Sequence, residues 1–184
     1  MNDVRDPVDD AQLMAHLATG DRTALGTLVK RHQRRVLELA FRTTGDHALA
    51  EDIGQEAFLR VWRSAKRYEP TAQFTTWLYR IVVNLCLDAF KRRKPTTGDV
   101  PDAIDSGAAG QATEIEQRER GAAVQRAVTA LPDRQRVAVV LHRFSGLTVR
   151  LTAEATGWSE SAVESLLVRA YSVLRQSLKE LDKK

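Results

Sequence analysis

The chain has 184 residues, 43% of them hydrophobic and 28% charged, with a net charge of +4. That apolar fraction suits a packed core and excludes disorder throughout, and one cysteine, Cys86, excludes a disulfide framework or a cysteine-rich zinc site. No run approaches the roughly 18 to 20 apolar residues of a membrane span. The acidic start, Met1 to Asp10, lacks the apolar core of a signal peptide, so a cytoplasmic chain without membrane insertion is expected.

Every patterned segment has helical spacing. Helices are predicted over Asp10 to Thr19, Arg22 to Thr43, His47 to Ala65 and Phe74 to Arg93. Leu25, Leu28, Val29, Val36, Leu37, Ala40 and Phe41 form the apolar stripe of the second. Ala50, Ile53, Ala57, Phe58, Val61 and Trp62 form that of the third. Pro95 to Gly110 has a linker composition, with two prolines and three glycines. Beyond it, helices are predicted over Ala112 to Ala130, over a stretch capped by Asp133 and ending near Phe144, over Thr148 to Thr156, and from a Ser159 cap to Leu181. The fold class is all-α: two small helical domains, residues 1–95 and 112–184, on a flexible acidic linker, residues 96–111.

Charge follows this division. Residues 1–95 carry 16 basic and 12 acidic side chains, residues 96–120 carry 2 and 6, and residues 121–184 carry 10 and 6. Two basic blocks flanking an acidic connector suggest a polyanionic partner, although solvated helices are often basic as well.

Leu147 to Arg169 has the marks of a helix-turn-helix. Ala153 is small where two helices would approach, Gly157 suits a left-handed turn, and Val163 falls on the inner face of the second helix. The outer face of that helix presents Ser161, Glu164, Ser165 and Arg169, side chains able to meet base edges and phosphates. A plain helical hairpin with a solvated face has the same pattern. Thr152 and Thr156 depart from the expected apolar set, and their hydroxyls can bond back along the helix. Trp158 reads as a core plug.

In the first half, Asp52, Gln55, Glu56 and Arg60 share the polar face of the third helix. Asp52 and Glu56 are like charges at i, i+4, which a cationic protein partner would relieve, although an ordinary exposed acidic face has the same pattern. Phe74, Trp77 and Tyr79 crowd the start of the fourth helix beside Tyr68, and Arg80 and Lys91 to Lys94 supply positive charge. Rings beside cations suit single-stranded nucleic acid, and they also suit an ordinary core with a capped helix end.

Thr44-Gly45-Asp46, Ala50-Glu51-Asp52, Gln55-Glu56-Ala57-Phe58 and Trp62-Arg63, followed by Phe74, Trp77-Leu78-Tyr79-Arg80-Ile81, Asn84 and Asp88, resemble the second conserved region of bacterial RNA polymerase sigma factors. The similarity is greatest to the small extracytoplasmic-function (ECF) group. Ala130-Leu131-Pro132 through Arg169 resembles their fourth region.

The resemblance implies a promoter-specificity subunit with no catalytic residues, no cofactor and no metal. Its implied partners are core RNA polymerase, promoter DNA and an anti-sigma factor. It assigns polymerase contact to Asp52, Gln55, Glu56 and Leu59. Opening and reading of the −10 element fall to Arg60, Arg67, Tyr68, Phe74, Thr75, Thr76, Trp77, Arg80 and Asn84. Reading of the −35 element falls to Arg150, Ser159, Ser161, Glu164, Ser165 and Arg169. His16, His32, His47 and His142 are scattered without ligand spacing. The competing readings are an operator-binding regulator and a helical adaptor.

Overall fold

Each early helix starts on an aspartate. In the computed structural model, which describes residues 8–70, 73–92 and 112–181, Asp9 caps α1 (Asp10–Ala18). Its carboxylate accepts from the Gln12 amide at 2.7 Å, while Gln12 Oε1 accepts from the Asp9 amide at 3.1 Å. This reciprocal pair satisfies two otherwise orphaned donors. Asp21 caps α2 (Arg22–Thr44) through the Thr23 amide, and Asp46 caps α3 (His47–Ser64) through the Leu49 amide. Gly45, at φ 74°, ends α2 in the left-handed conformation.

A 3-10 turn, Ala65–Arg67, leads towards α4 (Phe74–Arg92). The second half comprises α5 (Ala112–Thr129), α6 (Asp133–Val139), α7 (Val149–Thr156) and α8 (Glu160–Leu181). A π-helical turn, Val140–Phe144, extends α6. Among the described residues there is no strand, and the all-α expectation stands. The linker expected over residues 96–111 lies outside the described residues, as do Arg93, Lys94 and Pro95.

Three sequence expectations are corrected. Asp133 is the first helical residue of α6, and Pro132 occupies the cap position without a side-chain bond. Leu37 is 37% exposed and Leu39 is buried in its place, because Leu37 lies about 180° around the helix from buried Leu28. Trp62 is 46% exposed, displaced by about 100° from buried Val61.

The two halves share one apolar core. α4 packs against α7, and α2 packs against α5 and the π-helical turn. The end of α2 is held by the second half: Gln125 Nε2 donates to the Arg42 carbonyl at 3.3 Å, and Arg136 Nη1 to the Thr43 carbonyl at 3.0 Å. The last carbonyls of a helix lack partners within it and carry partial negative charge, so an amide and a guanidinium complement them. Arg136 Nη2 also donates to the Leu131 carbonyl at 2.9 Å, and its guanidinium lies 5.0 Å from the Phe90 ring centroid. Arg42 in turn lies over Phe144 at 4.4 Å.

Candidate nucleic-acid and protein interfaces

The helix-turn-helix forms as its small residues predict. Thr148 caps α7 by accepting from the Leu151 amide at 3.2 Å, and Gly157 ends it at φ 73°. Ala153 and Val163 are buried where α7 and α8 meet. Thr156 Oγ1 donates back to the Thr152 carbonyl at 2.7 Å, so this threonine fits the interior by bonding its own helix. Trp158 packs half-buried against the core, and the Arg134 guanidinium lies 4.5 Å from its ring centroid. That contact pins the turn and covers the ring.

Ser159 caps α8 by accepting from the Ala162 amide at 3.2 Å. Ser161, Glu164, Ser165 and Arg169 are all exposed on the same helix. Arg169 is pre-positioned: Nε donates to the Ser165 carbonyl at 3.1 Å and Nη2 to Ser165 Oγ at 2.8 Å. Arg150, on α7, pairs with Glu154 at 3.9 Å. Leu166 is buried and Val168 is 70% exposed. Helical spacing places Val168 on the outer face with Ser161 and Ser165, although apolar side chains ordinarily point inward.

In the first half, the α4 residues divide by face. Trp77, Arg80 and Asn84 follow one another along the outer side, with Trp77 half-buried and the other two exposed. Thr75 is half-buried, whereas Phe74, Thr76 and Tyr79 are buried. Phe74 and Thr76, both expected at the −10 surface, therefore face the core, and Tyr79 is separated from the aromatic group, about 200° around the helix from Trp77.

Tyr68, Phe74 and Trp77 make a ring cluster, with Tyr68 and Trp77 edge to face at 4.9 Å. Phe74 also packs on His32, whose Nε2 lies 2.9 Å from Asp10 Oδ2. Burial pulls the His32 pKa down against the opposing pull of Asp10, and burial raises that of Tyr68. Cys86 is buried, its thiol pushed up to about 12 by burial, which makes it a poor nucleophile.

Asp52 and Gln55 are exposed on α3, and Glu56 is half-buried. Arg60 Nε donates to Glu56 Oε1 at 3.0 Å, and Arg63 lies 3.8 Å from the same oxygen. Repulsion between Asp52 and Glu56 is thus relieved within the chain. Beside them a cleft of about 470 Å³ opens between α3 and α4, with Leu49, Ile53, Leu85 and Ala89 apolar and Asp52 and Glu56 at its edge. Leu59 is 41% exposed on the same helix. Arg67, in the 3-10 turn, is exposed. Among the described residues no group of three metal-ligating side chains gathers, and no helix is long and apolar enough to cross a membrane.

Residues 28–96 match the model of Sigma-70 region 2, and residues 121–174 match that of Sigma-70, region 4. The ECF RNA polymerase sigma factor SigM of Mycobacterium tuberculosis is 38% identical over 173 residues, covering 92% of this chain and 84% of the relative. The RNA polymerase sigma-H factor of Pseudomonas aeruginosa is 30% identical over 183 residues, covering 94% and 95%.

The fold matches CnrH, solved in complex with the cytosolic domain of CnrY, with a TM-score of 0.70 at 24% identity, covering 93% of this chain and 97% of that one. With both regions matched, in order and at these coverages, the chain belongs to the ECF sigma factors of RNA polymerase.

Proposed function

We propose that the chain joins core RNA polymerase and directs initiation at promoters, with α8 reading the −35 element and the outer face of α4 engaging the −10 element as it opens. A helix-turn-helix with an open polar reading face, in the same chain as an outward row of Trp77, Arg80 and Asn84, carries this reading. A ring, a cation and an amide suit an unpaired strand: the ring stacks on a base, the cation holds phosphate and the amide pairs with a base edge. Extruding a base costs a few kcal/mol, which pocket contacts offset. The face of Asp52, Gln55, Glu56 and Leu59, beside the α3–α4 cleft, is the polymerase surface. An anti-sigma protein restrains the chain, as the complex of the similarly folded sigma factor RpoE with the anti-sigma factor NepR from Bartonella quintana suggests.

The two elements lie about 25 base pairs apart by name, roughly 85 Å at 3.4 Å per step. A packed globule of this length is about 40 Å across. The α4–α7 packing therefore has to open before both surfaces meet one promoter.

Run-off transcription with core polymerase tests the reading. A defined start that requires the chain supports it; no start, and no polymerase retained by the immobilised chain, overturns it. Glu56→Arg replaces the acceptor of Arg60 and Arg63 with a third cation. Polymerase affinity is expected to fall at least about tenfold, measured by competition for core enzyme. Asn84→Ala is expected to leave that affinity unchanged and to slow promoter opening about tenfold, the loss of one amide–base contact, read by permanganate reactivity of unpaired thymines.

A further inference from the structure

Among the described residues, α8 buries most of its apolar side chains, fully or in part, and leaves Val168 the most exposed of them. Val163, Leu166, Leu167, Ala170 and Leu174 are buried, whereas Val168 is 70% exposed. At 100° per residue, Glu164, Val168, Ser161, Ser172 and Ser165 fall in that angular order within an arc of about 100°. Val168 thus stands near the middle of the face assigned to DNA reading. We infer that Val168 is a specificity-determining residue that reads the C5-methyl group of a thymine in the −35 element, an inference that rests on the reading of α8 given above.

The chemistry narrows the partner. In the major groove, bases present hydrogen-bond donors and acceptors, and thymine alone adds an apolar group, its methyl. A valine has no hydrogen bond to offer, so that methyl is its match on a base edge. The reach also suits: Val168 lies about 12 Å along the axis from Glu160, within the about 12 Å width of a major groove. Arg169, its neighbour in sequence, is held towards the same end of the face by Ser165.

Val168 does not belong to an apolar docking stripe. The other exposed valine on α8, Val173 at 46%, lies about 140° away around the helix. Between them in angle stand Ser161, Ser165, Arg169 and Ser172, all exposed. A valine in the middle of a helix also lowers helix propensity slightly against straight-chain residues, so the fold gains little from it there.

Holoenzyme assembled from the full chain and core polymerase, transcribing templates with a randomised −35 region, tests the inference. At one position the wild-type chain is expected to enrich thymine over cytosine about fourfold, the worth of one buried methyl. Val168→Ser is expected to abolish that preference and keep those at other positions. Deoxyuridine, which pairs as thymine does but lacks the methyl, should then lower wild-type initiation about fourfold at that position and leave Val168→Ser unaffected.

Unchanged base preferences in Val168→Ser, or wild-type indifference to deoxyuridine, overturn the inference while leaving the sigma reading intact. So does a uniform loss on all templates, which would make Val168 a protein contact. Thermal unfolding monitored by circular dichroism establishes that Val168→Ser is folded, and Val168→Thr, which keeps a methyl, should retain part of the preference. Absence of transcript with the wild-type chain on every template removes the sigma reading itself and this inference with it.

Discussion

Gly45→Ala lowers the unfolding free energy by about 3 kcal/mol, from a left-handed backbone penalty of about 1 to 2 kcal/mol and an overlap of similar size. Gly45 has φ 74°, where an L side chain is strained. A Cβ there would stand 2.8 Å from Thr129 Cγ2 and 3.2 Å from its Oγ1. Thr129 cannot rotate away freely, since Oγ1 donates to the Gln125 carbonyl at 2.9 Å and accepts from Gln125 Nε2 at 3.2 Å. Urea titration measures the loss. Adding Thr129→Ser removes Cγ2 and keeps the hydroxyl, so about half the loss should be recovered. Recovery requires α5 to rest on the α2–α3 turn in solution; an unchanged deficit would mean that the two halves stand apart there.

Arg136→Ala costs about 3 kcal/mol, within the range for charge-assisted hydrogen bonds broken at a buried site. The side chain is 11% exposed. It donates to the Thr43 and Leu131 carbonyls, pairs with Asp133 at 3.3 Å and covers Phe90. Lysine keeps the charge but has no planar fork to serve two carbonyls at once, so Arg136→Lys should recover less than half. Thermal and urea unfolding give the magnitude. Small-angle scattering gives the second reading: the alanine variant should show a larger radius of gyration, because the bond to Thr43 joins the two halves.

The helices and the bihelical reader were legible in the sequence because their signals are local. Asp9, Asp21 and Asp46 cap within three residues of their own positions. Gly45 and Gly157 stop helices by a backbone conformation that other residues resist. The docking of the halves was not legible. It rests on bonds such as Gln125 to Arg42 and Arg136 to Thr43, which join residues 83 and 93 positions apart, and no periodicity encodes such pairs.

Site residues divide in the same way. Ser161, Ser165 and Arg169 were found by helical spacing and are exposed. Phe74 and Thr76 were grouped with Trp77 by the family resemblance, yet they face inward. α4 has neighbours in both halves, α3 and α7 among them, so its buried arc is wider than one amphipathic stripe suggests. Val168 escaped notice for the opposite reason, since a valine carries no mark of exposure in its identity.

With α7 resting on α4, separation of the halves costs free energy. A partner that requires that separation binds with an apparent dissociation constant equal to the intrinsic one divided by the separated fraction. Each 1.4 kcal/mol taken from the clasp around Gln125 and Arg136 multiplies a small separated fraction about tenfold. On the proposed function, the bonds across this seam would set holoenzyme occupancy from residues outside the proposed DNA and polymerase faces.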